Sequence, residues 1–416
     1  MKKEYYKRST CRLCDSTRVY SGVKFEATPP GDTFVTQAEI NRAQKRYPID
    51  VCLCEDCGSI QLLDVVNPEI LYGPYLYQTS ISLGLPEHFR RYADEVLAAV
   101  AIKPGSLVID IGSNDGTLLR CFQERGMKVL GIDPASAAVK TALARGVDTI
   151  QAFFDRNLAR KIRSERGDVG IVAANNVIAN VDALGDFVDG IRELIEPNGY
   201  FVMETGCGAS LLEKRLIDVV YHEHLSYFTV KPLEGFFRRH GMKIIDAYWI
   251  PSKGGSIRCF VQADKSSAIP KPSVREMIYM EEDKGIGTMD SLRKMGVFIT
   301  ERKKGLTSLL DGLRAQGKTI VGYGASVGVT TLLYLFGLDK YLDYLVDDDA
   351  TRFERFSPGQ HIPVYSSVVL NEKNPDYVLI LAWRYTDPIM KRHEKYIQQG
   401  GRFISLLPEL KIFGVS

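Results

Sequence analysis

Apolar and polar stretches alternate along the chain in a way that divides it into three parts. Between residues 106 and 206, four apolar runs alternate with helix-like segments: SLVIDIG, KVLGIDP, GIVAANN and GYFVMETG. Short apolar runs separated by helical segments are typical of buried parallel strands in an α/β sheet. Three similar runs follow the polar, proline-containing stretch KSSAIPKP near residue 270: KTIVGYG, DYLVDDD and PDYVLILAW. They predict a second parallel α/β layer.

The first 72 residues lack this pattern and show short strand-like runs around the turn Pro29-Pro30-Gly31. We therefore predict an α/β protein with a small N-terminal domain of β-hairpins over residues 1–72. A central Rossmann-like domain would follow over residues 73–265, and a C-terminal Rossmann-like α/β domain over residues 266–416. The length of 416 residues agrees with this number of domains.

The charge balance is close to neutral, with 53 Lys and Arg residues against 51 Asp and Glu residues. No block of five or six like charges occurs, so the cationic surface of a nucleic-acid binder is not expected. The sequence MKKEYYKRST is charged, and no apolar run reaches the length of about 18 residues that a membrane span needs. We expect a cytoplasmic protein with neither nucleic acid nor membrane as a partner.

Two CxxC pairs stand in the N-terminal domain: Cys11 with Cys14, and Cys54 with Cys57. Each pair can turn two thiolates toward one tetrahedral Zn²⁺, and four thiolates leave no open position for a substrate. We predict a structural zinc site that stabilises a domain with little core of its own, and we leave Cys52 outside it. Four unliganded thiols and a catalytic zinc are the alternatives.

A glycine turn connects a strand to a helix in SLVIDIGSNDGT, and KVLGIDP then ends a second strand in an acid, Asp133. Strand, glycine turn, helix, strand and acid form the nucleotide-binding half of a doubly wound sheet. Ligands of such sheets bind at the carboxyl ends of the strands, where Asp133 would accept hydrogen bonds from ribose hydroxyls.

The loop also indicates which nucleotide is bound. A dinucleotide site needs GxGxxG, whereas this loop reads GSNDG and is preceded by Asp110. Carboxylates at Asp110 and Asp115 would repel a pyrophosphate, but they suit a ligand with an ammonium group and a positive sulfur. S-adenosylmethionine has both.

Two later strands of the same domain end in polar residues, GIVAANN in Asn175 and Asn176 and GYFVMETG in Glu204. Methyltransferases line the methionine and adenine pockets with residues at such positions. The predicted cofactor-binding residues are Asp110, Gly112, Asn114, Asp115, Gly116, Asp133, Asn175 and Asn176.

The string DVVYHEHLSYFT places Tyr221, His222, Glu223 and His224 in consecutive positions between apolar flanks. Such side chains are costly to bury unless they face a polar cavity or one another. The unperturbed pKa of histidine, about 6.5, suits proton removal at neutral pH. A general base with an acid or hydrogen-bond partner is the preferred interpretation, and a metal site made of both histidines and Glu223 is the alternative.

Several strings, taken in order, resemble one family over nearly the whole chain: the two CxxC pairs, YLYQTS, VIDIGSNDGTLL, AANNVIANV, YHEHLSYF and GGSIR. Together they resemble the S-adenosylmethionine-dependent sugar C-methyltransferases of deoxysugar biosynthesis. These enzymes look like three-domain proteins that act on nucleotide-linked 4-keto-deoxysugars, commonly dTDP sugars methylated at C3. The resemblance implies such a substrate here, with GDP and CDP sugars as further options.

The resemblance also implies a mechanism. His224 would remove the proton from the carbon beside the keto group, and the enolate carbon would then attack the sulfonium methyl. The other three residues of the YHEH string would position the sugar, stabilise the enolate oxygen or orient the base. Tyr75 and Tyr77 would cover the sugar from the N-terminal side.

Two departures from the family pattern bear on the substrate. Asn180 stands where the family is expected to have histidine, which affects the sugar substituent it meets and the position methylated. The glycine-rich stretch GYGASVGVTTLL lacks the lysine that the family usually carries there. This stretch could be a cofactor loop, a phosphate cradle for the sugar nucleotide, or a degenerate copy that only packs.

Basic residues elsewhere could bind the nucleotide diphosphate. Lys253 and Arg258 belong to the glycine turn KGGSIR, which is otherwise a hairpin, and Arg384 in AWRY is a weaker candidate.

The same base and methyl donor would also serve an O-methyltransferase or a C-methyltransferase of another carbon acid. A different class of enzyme, one that modifies RNA and carries an N-terminal zinc domain, is a further alternative, but the near-neutral net charge argues against it.

Overall fold

The computed structural model describes residues 3–72, 79–81 and 84–414. The two tyrosines expected to cover the sugar, Tyr75 and Tyr77, lie outside these described residues. Among the helices that are described, none is both long enough and apolar enough to cross a lipid bilayer.

The strands occur in three groups along the chain. The N-terminal strands are β1 (Tyr5–Lys7), β2 (Val19–Val23), β3 (Val51–Cys54), β4 (Ile60–Leu62) and β5 (Asp64–Val66). The central strands are β6 (Leu107–Ile111), β7 (Lys128–Asp133), β8 (Thr149–Gln151), β9 (Val169–Asn175), β10 (Tyr200–Gly206), β11 (Ser226–Tyr227), β12 (Met242–Ile250) and β13 (Ser256–Ala263). The C-terminal strands are β14 (Ile320–Tyr323), β15 (Leu345–Asp347), β16 (Arg355–Phe356), β17 (Pro363–Ser366), β18 (Tyr377–Ile380), β19 (Arg402–Ser405) and β20 (Lys411–Phe413).

The α-helices connect and cover these strands. Those up to residue 239 are α1 (Pro68–Tyr72), α2 (Leu85–Ala99), α3 (Thr117–Gln123), α4 (Ser136–Ala144), α5 (Arg156–Arg166), α6 (Leu184–Ile195), α7 (Gly208–Glu213) and α8 (Val230–Arg239). The later ones are α9 (Pro272–Asp283), α10 (Met289–Ala315), α11 (Val327–Phe336), α12 (Val369–Lys373), α13 (Thr386–Arg392) and α14 (Glu394–Gln398).

The central sheet has seven strands in the order β12-β13-β10-β9-β6-β7-β8. The pairs among β10, β9, β6, β7 and β8 are parallel, whereas β13 runs antiparallel to both of its neighbours. Parallel strands need crossover connections, which the helices supply, and both faces of the sheet are therefore covered by apolar side chains. The predicted central Rossmann-like sheet is confirmed.

The C-terminal sheet also has seven strands, in the order β16-β17-β15-β14-β18-β19-β20. Its five inner strands are parallel and only the two edge strands, β16 and β20, are antiparallel. The strand order reverses between β14 and β18, which in a doubly wound sheet is where a ligand crevice forms. The predicted second Rossmann-like layer is confirmed as well.

The N-terminal part forms a two-stranded ribbon, β1-β5, and a four-stranded antiparallel sheet, β11-β4-β3-β2. The fourth strand of this sheet comes from far along the chain, because Ser226 pairs with Gln61 and Tyr227 pairs with Ile60. The strand follows the YHEH string directly. The N-terminal sheet therefore fixes one end of the string predicted to be reactive.

One apolar core runs through the N-terminal sheet, the segment after α7, helix α10 and the C-terminal sheet. Leu216 and Ile217, just ahead of the YHEH string, are buried in this core. The string therefore lies where all three parts of the chain meet.

Candidate functional site

The glycine loop after β6 holds Asp133 in a fixed orientation. The backbone N–H of Asn114 donates to Oδ2 of Asp133 at 2.9 Å, and that of Ala135 donates to Oδ1 at 2.8 Å. Burial raises the pKa of Asp133, and these two backbone hydrogen bonds oppose that rise. The carboxylate stands at the carboxyl end of β7, so it can accept hydrogen bonds from the hydroxyls of a bound ribose.

Two glycines are required for the path of this loop. Gly112 has φ of 74° and Gly116 has φ of 76°, both in the left-handed region that favours glycine. A Cβ on Gly112 would lie 2.2 Å from Cγ2 of Val177, and one on Gly116 would lie 2.9 Å from Cγ2 of Val147. The loop backbone therefore packs directly against Val177 and Val147, and no side chain fits at either glycine.

The side chains of Asn114 and Asp115 bind protein backbone. Oδ1 of Asn114 accepts from the N–H of Thr79 at 2.9 Å, and Oδ2 of Asp115 accepts from the N–H of Ser80, also at 2.9 Å. Burial raises the pKa of Asp115, but hydrogen bonds from Thr117 and Ser80 outweigh it, so the pKa is lowered overall. These two side chains therefore hold the backbone of Thr79 and Ser80, the last two residues of the YLYQTS string, in place.

Asp110 lies beneath the loop and is only 4% exposed. Burial, with the nearby Asp133 carboxylate as the second cause, raises its pKa well above the ordinary range. Its surroundings therefore disfavour the negative charge that the loop sequence predicts for this carboxyl.

Two strand ends meet beside the loop, since Asn175 of β9 pairs in register with Glu204 of β10. The atoms of the Asn175 amide are buried, and a hydrogen bond from this amide lowers the pKa of Tyr92 against the larger, opposite effect of burial. The N–H of Asn176 donates to the carbonyl of Glu204 at 2.7 Å. The amide of Asn175 thus keeps hydrogen-bonding capacity for a ligand at this edge.

Arg258 occupies a different place from the one expected of a diphosphate ligand. Its side chain is 1% exposed, Nη2 donates to Glu204 at 2.8 Å and Nη1 donates to Glu95 at 2.5 Å. Nε also donates to Glu204, at 3.1 Å, and the guanidinium lies 4.4 Å from the ring centre of Tyr92. Every nitrogen of Arg258 is therefore engaged in support of the β10 strand end.

His224 is held through both ring nitrogens. Nδ1 lies 2.9 Å from the carbonyl oxygen of Val219, and Nε2 lies 2.9 Å from the hydroxyl of Tyr221. A carbonyl only accepts, so Nδ1 carries the proton and Nε2 accepts from Tyr221. Burial lowers the pKa of His224 to about 4, and charges of Lys253 and Arg384 add to this shift. The imidazole is neutral at pH 7, with its lone pair on Nε2.

Two basic side chains lie close to this histidine. His224 and Tyr221 are partly exposed, and the charges of Lys253 and Arg384 act on the imidazole; we name these four residues the His224 cluster. Lys253 has a left-handed φ of 51°, and a Cβ on the next residue, Gly254, would lie 3.4 Å from Cδ of Arg384. Desolvation lowers the pKa of Lys253, Glu204 opposes this shift and Arg384 adds to it.

The other two residues of the string point elsewhere. His222 is 1% exposed, and its Nε2 lies 3.1 Å from the carbonyl oxygen of Tyr47, against whose ring it packs edge-on. Glu223 is buried, its Oε2 has no partner among the described residues, and burial raises its pKa to about 7 with Asp32 as a further cause. The four consecutive side chains therefore do not form one cluster.

Asn180 shares a buried polar space with Glu223. Its Oδ1 has no partner in the described part of the chain. Burial raises the pKa of the neighbouring Tyr72, the Glu223 carboxylate raises it further, and a hydrogen bond with Asn180 lowers it. Unpaired oxygens on Asn180 and Glu223 can accept hydrogen bonds from the hydroxyls of a bound molecule.

The four cysteines of the CxxC pairs converge. Sγ of Cys11 lies 3.6 Å from Sγ of Cys57, Sγ of Cys14 lies 3.5 Å from Sγ of Cys54, and all four sulfurs lie within 4.8 Å of one another. Tetrahedral Zn²⁺ with Zn–S bonds of about 2.3 Å separates its sulfurs by about 3.8 Å. The donor set therefore fits a closed zinc site. Within the described residues it is the only group of three or more possible metal ligands, so the two histidines and Glu223 do not form a second one.

Three family models match the chain along its length: a zinc binding domain over residues 11–72, a methyltransferase domain over residues 86–247 and a C-methyltransferase C-terminal domain over residues 251–408. The C-methyltransferase NovU of Streptomyces niveus is 30% identical over 403 residues, which cover 97% of this chain and 96% of NovU. The chain belongs to the C-methyltransferase family. The resemblance found in the sequence is thereby confirmed.

Solved structures match the chain more weakly. The CcbJ methyltransferase of Streptomyces caelestis is 14% identical, with a TM-score of 0.35, over 46% of this chain and 94% of its own. The magnesium protoporphyrin IX methyltransferase ChlM of Synechocystis PCC 6803, with bound SAM, is 13% identical, with a TM-score of 0.33, over 44% of this chain and 81% of its own. The assignment rests on NovU and the family models.

This C-methyltransferase is an S-adenosylmethionine-dependent enzyme with a structural zinc site. The geometry at the carboxyl edge of the central sheet fits the cofactor, since two backbone hydrogen bonds orient Asp133 and the Asn175 amide stands at the neighbouring strand end. Cys11, Cys14, Cys54 and Cys57 hold the zinc, and Cys52 hydrogen bonds to the carbonyl of Asp50 instead.

One residue with a place at the site had no recognisable signature in the sequence. Arg12 lies inside the first CxxC pair, and its side chain is fully shielded from solvent. Nε donates to Asp182 at 2.8 Å, and Nη1 lies 3.3 Å from the carbonyl oxygen of Leu225. These contacts connect the zinc site to the segments that carry Asn180 and His224. Spacing alone could not reveal this, because all of these contacts are distant in sequence.

Replacing Asp133 with alanine should weaken S-adenosylmethionine binding about 10- to 100-fold. The change removes a charged hydrogen-bond acceptor, and such bonds contribute about 1.5–3 kcal/mol. Isothermal titration calorimetry measures the affinity, and Asp168→Ala, at a carboxylate 91% exposed, is the matched control. An unchanged affinity in Asp133→Ala would exclude the ribose assignment.

Proposed function

We propose that this enzyme methylates the carbon beside the 4-keto group of a nucleotide-linked deoxysugar, at C3, with His224 as the general base. The observation that carries the proposal is the neutral, partly exposed His224 imidazole, protonated at Nδ1 and holding its lone pair on Nε2. The segment after the string also contacts the end of the central strand β10, because the backbones of Cys207 and Phe228 form an isolated parallel β-bridge. The base therefore lies near the edge where the cofactor residues stand.

The chemistry starts with proton removal. Nε2 of His224 takes the proton from the carbon next to the keto group, and the electron pair of the broken C–H bond moves onto the keto oxygen. The Tyr221 hydroxyl, which donates to Nε2 in the free enzyme, turns to donate to that oxygen. A carbon acid of this kind reacts with histidine only when the enolate oxygen is stabilised, so both groups are needed. When bound, S-adenosylmethionine supplies the methyl group that the carbon then takes up.

Other residues bind the substrate in this proposal. Asn180 and Glu223 would accept hydrogen bonds from the sugar, and Lys253 would face the diphosphate of a dTDP sugar, or of a GDP or CDP sugar. Arg258 would support this site from below through Glu204 rather than contact phosphate. His222 would hold the string against the N-terminal sheet through Tyr47.

The same proposal extends to the organisation of the chain. The domain limits would be residues 1–72, 73–265 and 266–416, and Tyr75 and Tyr77 would cover the sugar from the first domain boundary. None of the eight cysteines forms a disulfide. Disulfides are rare in the cytoplasm, which is where we place the enzyme.

The direct test is mass spectrometry of reactions with a panel of dTDP, GDP and CDP 4-keto-deoxysugars. A product heavier by one methylene unit, formed only with S-adenosylmethionine, is the expected result. Incubation in D₂O without the methyl donor adds a second test, since the base should exchange one substrate hydrogen for deuterium at the carbon that is methylated. Methylation on oxygen, or no exchange at carbon, would contradict the proposal.

The lowered pKa of His224 predicts the pH dependence. An imidazole acts as a base only while neutral, which holds above its pKa, so lowering the pKa to about 4 extends activity toward acid. We expect no limb from His224 near the ordinary histidine value of about 6.5. Because burial raises the pKa of Glu223 to about 7, the steady-state pH profile is measured in Glu223→Gln, where kcat/KM should stay constant from pH 7 down to about 5. A fall in kcat/KM centred near pH 6.5 in that variant would contradict the prediction.

A further inference from the structure

The C-terminal domain contacts the segment that immediately precedes the YHEH string. The hydroxyl of Thr331, on α11, donates to the carbonyl of Val220 at 2.6 Å. Arg384, after β18, forms an ion pair with Asp218, with Nη2 3.0 Å from Oδ2. Thr331 is 1% exposed and Asp218 is 9% exposed, whereas the Arg384 side chain is 30% exposed, so the Thr331 contact is the better shielded from water. Residues on either side of Val219 are therefore held by the C-terminal domain.

These contacts occupy the ligand crevice of the C-terminal sheet. A Cβ on Gly328, near the start of α11, would lie 1.9 Å from the carbonyl oxygen of Asp218, so no side chain fits there. Between β14 and β18 the crevice is also narrow, because a Cβ on Gly324 would lie 2.9 Å from Cβ of Ala382. The chain's own backbone therefore stands where a doubly wound sheet would bind a cofactor. This accounts for a glycine-rich loop without a lysine.

The held segment acts directly on His224. The carbonyl oxygen of Val219 lies between the two anchored residues and accepts from Nδ1 of His224 at 2.9 Å. A carbonyl in this position fixes the proton on Nδ1 and leaves the lone pair on Nε2. If the carbonyl moved away, the ring would be free to carry its proton on Nε2, and its lone pair would then lie on Nδ1, away from Tyr221.

We propose that the C-terminal domain sets the tautomer of His224, with Thr331 and Arg384 as positioning residues that act through the Val219 carbonyl. The catalytic consequence rests on the proposed function, but the tautomer itself does not. The groups that face the imidazole are the Tyr221 hydroxyl, the edge-on ring of Tyr227, and the cations Lys253 and Arg384. None of the described groups facing the ring offers a second acceptor for Nδ1.

The tautomer can be read by nuclear magnetic resonance of full-length enzyme labelled with ¹⁵N-histidine. Protonated and unprotonated ring nitrogens differ strongly in chemical shift, and six histidines give a spectrum that is simple to assign. The signal lost in His224→Gln identifies the residue. In wild type, His224 should appear as the Nδ1–H form. An Nε2–H form in wild type would overturn the proposal.

The decisive variant is Thr331→Val, which keeps the shape of the side chain and removes its hydroxyl. Its matched control is Thr330→Val, because Thr330 is the adjacent, equally buried threonine of α11 and donates to the carbonyl of Gly31 at 3.1 Å. We expect Thr331→Val to convert His224 into a mixture of tautomers, while Thr330→Val keeps the wild-type signal. Equal spectra in both variants would overturn the proposal.

Activity provides a second readout. Thr331→Val should lower kcat about tenfold and leave the KM for S-adenosylmethionine unchanged, and Thr331→Ser, which retains the hydroxyl, should restore kcat. If Thr331→Val does not fold, Arg384→Gln loosens the same segment from a partly exposed position and should shift the same signal. A tautomer that is unchanged in Arg384→Gln would then count against the proposal. Absence of sugar methylation with an intact Nδ1–H signal would refute the proposed function alone.

Discussion

Replacing His224 with glutamine should lower kcat by about 10²- to 10⁴-fold, the contribution typical of a general base. Glutamine fills a similar volume and can still meet the Val219 carbonyl, but it cannot take a proton from carbon. The affinity for S-adenosylmethionine should stay within about twofold, because the cofactor residues stand on the loops after β6, β7 and β9 rather than on this string. Steady-state kinetics with the authentic sugar nucleotide and calorimetry with the cofactor measure the two quantities.

The control for this variant is His240→Gln. That histidine is also partly buried and hydrogen bonded, with Nδ1 3.0 Å from Asp189, but it follows the C-terminal end of α8, whereas the string precedes the N-terminal end. It should retain wild-type kcat. Deuterium exchange at the substrate carbon should disappear in His224→Gln and persist in His240→Gln. Full turnover by His224→Gln would show that another group removes the proton.

Replacing Cys54 with serine should release the zinc and unfold the N-terminal sheet. Structural Zn²⁺ binds with about 10–16 kcal/mol in small metal domains, a quantity comparable to the entire stability of many proteins. The sheet contributes Val51, Leu53 and Ile60 to the core that it shares with the C-terminal part, so the loss should spread through the molecule. Elemental analysis should find no stoichiometric zinc, and the thermal unfolding midpoint should fall by more than about 10 °C.

Cys52→Ser provides the matched control, since Cys52 lies two residues away on the same strand and binds the Asp50 carbonyl rather than the metal group. This variant should keep one zinc per chain and nearly the wild-type unfolding midpoint. Retention of zinc and midpoint by Cys54→Ser would show that the four thiols are not a metal site. Because Arg12 connects the zinc site to Leu225 and Asp182, zinc loss should also reduce turnover more than cofactor binding.

At the carboxyl edge of the central sheet, local sequence predicts the backbone of the cofactor loop, whereas tertiary contacts decide what its side chains bind. The run from β6 through Gly112 and Gly116 to Asp133 follows from hydrophobic periodicity and from the backbone angles that only glycine adopts easily. The side chains of Asn114 and Asp115 belong to the same motif, yet they bind the turn at residues 79–81. Their partners are about 35 residues away in sequence, so the motif could not reveal them.

The roles of Arg258, His222 and His224 also depend on tertiary contacts that the sequence motifs do not reveal. The glycine turn predicts that Arg258 binds phosphate. Strand β13 instead places its guanidinium beside Glu204 and Glu95, whose carboxylates neutralise its charge. His222 and His224 are nearly adjacent in sequence and meet different partners, Tyr47 and Val219. Two residues along the chain are enough for this separation, because the string passes from Val220, which the C-terminal domain holds, to Ser226, which pairs with the N-terminal sheet.

The sequence by itself determined the two Rossmann-like sheets, the zinc ligands and the strings that carry the reactive side chains. These depend on periodicity, on glycine conformation and on ligand spacing, all of which act between residues close in the chain. Only the tertiary structure decided two contacts of the string. Thr331 of the C-terminal domain binds Val220 just before the string, and Ser226 just after it pairs with Gln61 of the N-terminal sheet. Such contacts depend on how separate layers pack together, and hydrogen bonds between distant segments form only after that packing has brought them within reach.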